Sequence, residues 1–187
     1  MKALWRVVVT IFFFLVIAGI AALLGIYSGT YNIAASVPHA TVTEALLDWT
    51  VERSIENHAR SVTIPESFSN ISFKEGFPHY DAMCVYCHGA PGIERSEFGN
   101  GLYPLGPPLF RKPSDDEDVL SSSELFWVVK NGIKMTGMPA FGKTHDDEEI
   151  WKIVAFLGVL PNLSNVDYLQ LRTSVSSESH EAGEFQD

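Results

Sequence analysis

The chain has only two cysteines among 187 residues, and they lie three positions apart. A disulfide framework is therefore excluded, and a closed four-thiolate zinc site cannot be assembled. Basic residues are also scarce, with 13 Lys and Arg against 23 Asp and Glu, for a formal charge of −10. Binding to nucleic acid needs a basic face to neutralise phosphate, so that class is set aside. No internal repeat and no long low-complexity run is present. No phosphate loop, nucleophile–base pair or paired-carboxylate signal appears, so no small-molecule substrate is expected. Charge is missing altogether from one stretch. Residues 7–26 read VVVTIFFFLVIAGIAALLGI, preceded by Lys2 and Arg6, and the next formally charged side chain is Glu44.

That stretch resolves a conflict in the composition, where 46% hydrophobic residues accompany a strongly acidic balance. A helix of this length spans about 30 Å, the thickness of a bilayer core. Trp5 and Tyr27 stand where interfacial anchors would. Lys2 and Arg6 keep the N-terminus inside by the positive-inside rule. The expectation is a single-pass anchor in the cytoplasmic membrane over residues 1–28, with the remainder exported. A cleaved signal peptide is the alternative, although its apolar core is usually only about 7–15 residues.

The two cysteines sit in Cys84-Val85-Tyr86-Cys87-His88. C-x-x-C-H reads as a c-type haem attachment site. Thiols at this spacing can each add to one vinyl group of a haem edge, and the following histidine can bind the iron from the proximal side. A zinc half-site would want a second Cys/His pair, and a thioredoxin-like pair a βαβ setting; neither is found. An incidental disulfide is the remaining competitor. Beyond the motif, Pro91, Gly92, Gly99, Gly101, Pro104, Gly106, Pro107 and Pro108 break any helix. This loop, interleaved with Phe98, Leu102, Tyr103, Leu105, Leu109 and Phe110, is expected to wrap an apolar body.

Four methionines are candidates for the second axial position. Met1 lies in the anchor, and Met83 adjoins the motif and cannot reach the opposite face. Met135 and Met138 lie in a loop between two helices, and Pro139 pushes Met138 into an extended conformation. Met138 is the preferred ligand and Met135 the alternative. A His/Met pair raises the reduction potential and leaves no open coordination position.

Elsewhere the patterning is helical. Residues 41–61 carry an apolar stripe of Ala45, Leu46, Trp49, Ile55 and Ala59, with Thr41 and Glu44 as a capping box. This helix is expected to be juxtamembrane or packed on the domain that follows, within a connecting region of residues 29–68. His39 and His58 flank it, and solvated or capping roles are preferred for them over a metal site. Gly76, Tyr80 and Cys84 share one face of a helix expected to start near Phe77 or to kink at Pro78. Ser121 with Glu124 opens a helix that Asn131-Gly132 closes. Thr144 or Asp146 opens another, with Asp146, Asp147, Glu148 and Glu149 at its dipole-favoured end. Ile150, Trp151, Ile153, Val154, Phe156 and Leu157 form its apolar set, and Pro161 ends it. Asp115 to Asp118 read as a solvated turn. Residues 162–187 are acidic and serine-rich, and disorder is expected there.

Taken together, Gly76-x-x-x-Tyr80-x-x-x-Cys84, C-x-x-C-H, Pro107/Pro108 before Leu109, Met138-Pro-Ala-Phe141 and Glu149-Ile-Trp151 resemble a class I c-type cytochrome of the bacterial monohaem kind. The resemblance covers about half of the chain. It implies an all-α fold over residues 69–161, wrapped on one covalent haem c, with the first and last helices crossing. It also implies thioether bonds at Cys84 and Cys87, axial ligation by His88 and Met138, and a proline carbonyl, from Pro107 or Pro108, supporting the imidazole. The implied activity is electron transfer between redox protein partners in a respiratory chain, by a carrier or by a fixed subunit of a membrane oxidoreductase complex.

Overall fold

The computed structural model describes residues 1–112 and 119–183, the segment 176–183 by its backbone alone; the acidic stretch from Asp115 to Asp118 lies outside the described residues. Two compact units divide the chain, Met1–Val37 and Pro38–Asp187.

The first unit is dominated by helix α1, Lys2–Tyr27, none of whose residues is buried. By length and composition it can cross a membrane. Its turns carry no charge between Arg6 and Tyr27, so in hydrocarbon the backbone is satisfied internally and no ionised side chain is desolvated.

The second unit is helical, and its described residues contain no β-strand, only a lone bridge between Ala90 and Ile93. Its helices are α2 (Thr41–Ala59), α3 (Phe73–His79), α4 (Val85–His88), α5 (Glu97–Asn100), α6 (Ser122–Asn131), α7 (Asp147–Val159) and α8 (Asn165–Gly183). Helix α7 is the centre. Asp146 caps it, accepting from the Glu149 N–H at 2.9 Å while Glu149 accepts from the Asp146 N–H at 2.9 Å. All six apolar residues expected to face inwards, Ile150, Trp151, Ile153, Val154, Phe156 and Leu157, are buried. α6 begins with a second capping box, Ser121 with Glu124, as the spacing predicts.

Helix α3 crosses α7 at Gly76. A Cβ there would overlap the Lys152 carbonyl oxygen and lie 2.9 Å from the Phe156 Cβ. Only a residue without a side chain lets the two backbones come this close. Phe77 and Tyr80 then meet Phe156 at ring-centroid separations of 5.6 and 5.2 Å. Trp151 stacks on Phe126 of α6 at 4.3 Å, tying the third helix to the crossing. Such aromatic contacts contribute about 0.5–1.5 kcal/mol each beyond their buried area.

Four details differ from the sequence expectation. α3 begins at Phe73, not near Phe77, and holds Pro78 inside it. The backbone then widens into a π turn over Tyr80–Cys84; Pro78 has no N–H to offer the preceding turn. Thr41 does not cap α2, whose N-cap is Ala40 without a side-chain bond. The apolar stripe of α2 is divided. Ile55 and Ala59 are buried, but Leu46 and Trp49 are exposed. Packing of α2 on α6 selects the former, and His58 stacks on Trp127 at 5.3 Å. Finally, within the 162–187 tail expected to be disordered, residues 165–183 form helix α8, and residues 184–187 lie outside the described residues. Tyr168 is fully buried and supplies the apolar contact that composition concealed.

Gly76→Ala is expected to cost about 3 kcal/mol, because a helix backbone must move. Gly158→Ala, where nothing lies within 4 Å of the added carbon, is expected to be neutral or to stabilise by up to about 1 kcal/mol. Denaturant midpoints of the two variants check the contrast.

Candidate haem-attachment site

Cys84 ends the π turn, and Val85, Tyr86, Cys87 and His88 form the single turn α4. This places both thiols and the imidazole on consecutive turns anchored by the α3–α7 crossing. The anchor is extended by Tyr80, whose buried hydroxyl donates to the Gly89 carbonyl at 2.7 Å. One residue before the motif's turn and one just after it are thus joined. Gly89 has φ 69°, which turns the chain sharply away from α4. Among the described residues Cys84 and Cys87 are free, not joined as a disulfide. Burial first, then the neighbouring Cys87, pushes the Cys84 thiol up to about 12. A thiol held in that state is a poor thiolate nucleophile or zinc ligand at neutral pH.

The Gly/Pro-rich loop packs directly on this turn. Ser96 accepts from the Gly99 N–H at 3.0 Å and donates to the Tyr86 carbonyl at 2.9 Å. Gly99 lies so close to Tyr86 that a Cβ would overlap its carbonyl oxygen, and a Cβ on Gly106 would meet the Cys87 carbonyl at 2.9 Å and the His88 ring at 3.3 Å. The loop then presents the Pro107 carbonyl oxygen to His88 Nδ1 at 2.8 Å. Of the two prolines left open by the sequence, Pro107 is the one in contact. A carbonyl only accepts, so Nδ1 carries the proton and Nε2 keeps its lone pair for a metal. Burial holds the His88 pKa below the usual imidazole value; the Pro107 bond opposes this and the Arg95 charge adds to it. The ring is accordingly neutral, as ligation requires.

The methionine loop is built from the end of α6. Gly132 has φ 66°, and a Cβ there would lie 2.6 Å from the Met138 carbonyl oxygen. The Ile133 N–H donates to that oxygen at 3.2 Å, and Thr136 Oγ1 accepts from the Met138 N–H at 3.1 Å. Gly137 abuts Leu102 of the Gly/Pro-rich loop. Met138 is half-buried and packs on the core, whereas Met135 is 92% exposed with φ 65°. Gly132 closes α6 as its sequence predicts, whereas the contact of Gly106 with His88 and the bond of Thr136 to Met138 carry no signal in the sequence. Gly106 acts by close approach to a separate segment, the attachment turn, whereas Gly132 and Thr136 brace Met138 within its own loop.

His39 and His58 are not brought together as a metal pair. The His39 N–H donates to the Tyr103 hydroxyl at 3.0 Å, and His58 Nδ1 lies 2.7 Å from the Ser54 carbonyl oxygen. Among the described residues no group of three or more His, Cys, Asp and Glu side chains is arranged to hold a metal ion. The residues at Cys84–His88 fit a haem c instead. Two thiols and a neutral imidazole with one nitrogen committed to a carbonyl match the attachment points and the first iron ligand of such a group.

Residues 72–157 match the family model described as cytochrome C oxidase, cbb3-type, subunit III. No curated protein and no solved structure matches the chain.

Gly106→Ala is expected to displace the His88 ring or the loop above it. The cost is about 1–3 kcal/mol, read as a lower thermal midpoint together with a changed absorption spectrum in the haem-loaded protein.

Proposed function

Because residues 72–157 form a c-type cytochrome domain that binds haem, we propose that the chain is a membrane-anchored monohaem electron carrier with Cys84 and Cys87 as the thioether residues and His88 and Met138 as axial ligands. The observation that carries this reading is the His88–Pro107 bond, which leaves one imidazole nitrogen free on the turn that follows Cys84 and contains Cys87. The haem supplies an Fe(III)/Fe(II) couple, and the polypeptide sets its potential and orientation. Donation from Nδ1–H to the Pro107 carbonyl fixes the ring and raises its basicity. Met138 is preferred over Met135 because its loop is hydrogen-bonded and its side chain faces the core. With His88 and Met138 both holding the iron, no coordination position would be left for oxygen or a substrate, which favours a carrier over a catalyst. Helix α1 serves as the anchor, with Lys2 and Arg6 on the cytoplasmic side and the haem domain in the periplasm. The acidic balance of the chain, 13 Lys and Arg against 23 Asp and Glu, suits a redox partner with a basic docking patch.

A second reading, a subunit fixed within a membrane oxidase or related complex, is favoured by α2. Val42, Leu46 and Trp49 share one face at helical spacing and are 72%, 57% and 61% exposed. A free carrier gains nothing from that stripe, whereas a complex can cover it. Gentle detergent extraction separates the two: a monodisperse monomer supports the carrier, and a stable stoichiometric assembly supports the subunit.

Expressed in a host competent for cytochrome maturation, the protein is expected to carry one covalent haem, raising its mass above that of the bare polypeptide. Met138→Ala is expected to abolish the sulfur-to-iron charge-transfer band of the oxidised protein and to allow carbon monoxide binding to the reduced protein. Met135→Ala is expected to change neither. A colourless wild-type protein overturns the haem assignment, and the reverse pattern between the two variants moves the ligand.

A further inference from the structure

Helix α8 lies beyond the matched residues 72–157, yet it grips the attachment turn on both sides. Asn165 at its start abuts Gly92, the turn following C-x-x-C-H, with its Cγ 3.1 Å from the position of a Cβ there. One turn on, Tyr168 is fully buried against Phe77 at 5.2 Å. Its hydroxyl donates to Asp81 Oδ1 at 2.9 Å, and the Arg172 Nε–H donates to Asp81 Oδ2 at 3.1 Å. Asp81 stands three residues before Cys84 within the π turn. Its side chain is 19% exposed, so solvent screens it poorly compared with the 47% exposed Arg172.

Both carboxylate oxygens are therefore taken up by α8. Burial, followed by the bond to Asp81, raises the pKa of Tyr168 and keeps its phenol a donor. The pair is more than a surface ion pair, which by itself contributes little. It places the Asp81 carboxylate, mostly shielded from solvent, on the turn leading into the candidate haem ligands, with Arg172 answering it from α8; a shielded charge is felt more strongly than one in water.

We propose that Arg172 and Tyr168 are positioning residues for the redox centre: they hold and neutralise Asp81, so that the C-terminal helix sets the reduction potential of a haem attached at Cys84 and Cys87. The inference rests on the haem assignment above. Its sign follows from charge. The oxidised centre is one unit more positive than the reduced one, so an uncompensated carboxylate stabilises the oxidised form and lowers the potential. An uncompensated guanidinium does the reverse.

The test is a spectroelectrochemical titration of the full-length, haem-loaded protein, with thermal unfolding in parallel. Arg172→Gln is expected to lower the midpoint potential and Asp81→Asn to raise it. The double variant is expected to return near wild type. Arg172→Lys, which keeps the charge, is expected to retain the wild-type potential and acts as the control for folding. A purely structural brace predicts lower thermal midpoints with potentials unmoved, or shifted in one direction for both single variants; either result overturns the proposal. A protein without haem refutes the underlying assignment instead, and the two failures are distinguished by colour.

Discussion

Where α3 meets α7 there is room for a hydrogen atom and nothing larger at residue 76. That single steric constraint determines how far apart two helix axes stand, and the rest of the domain inherits the spacing. Phe77 and Tyr80 reach Phe156 only because the backbones are this close, and α6 is held to the same pair through Phe126 and Trp151. Burial of these rings supplies a driving force proportional to the apolar area removed from water. The attachment turn is continuous with α3, so its place in space is set by the same crossing.

From that foundation the site is assembled by polar contacts between backbone and side chain. Tyr80 closes the turn onto Gly89, Ser96 fastens α5 to Tyr86, and the Pro107 carbonyl accepts the hydrogen bond from His88 Nδ1–H. Each of these groups would be costly to leave unpaired away from water, so the contacts act as constraints as well as attractions. The methionine loop uses the same economy of means, with Thr136 and Ile133 both committed to Met138. Two loops rich in glycine and proline are thus each fastened to a helix end, and Gly137 against Leu102 joins them to one another.

Electrostatics adds a second layer. Burial keeps Cys84 and His88 in their neutral forms, whereas Asp81 is kept close to the same turn with its charge answered by Arg172. Charge on the attachment turn is thus matched across 91 positions of sequence.

The sequence by itself determined whatever depends on neighbours in the chain. C-x-x-C-H is legible because both thiols and the imidazole must lie within two helical turns. The capping boxes at Ser121 and Asp146 are legible because a cap and its partner stand three residues apart, and the buried face of α7 because its period is that of a helix. α8 is the exception: Ser164 Oγ accepts from the Asp167 N–H at 3.2 Å at the same three-residue spacing, but the acidic, serine-rich composition led to an expectation of disorder. Tertiary structure alone decided the remainder. Pro107 and Pro108 offer equivalent carbonyls, and only the path of the loop brings one to His88. Ile55 and Leu46 are both apolar residues of α2, and only the position of α6 buries the first and leaves the second in solvent. Nothing near Asp81 in sequence names Tyr168 or Arg172 as its partners. Such choices depend on distances between segments remote in the chain, and those distances exist only once the helices have packed.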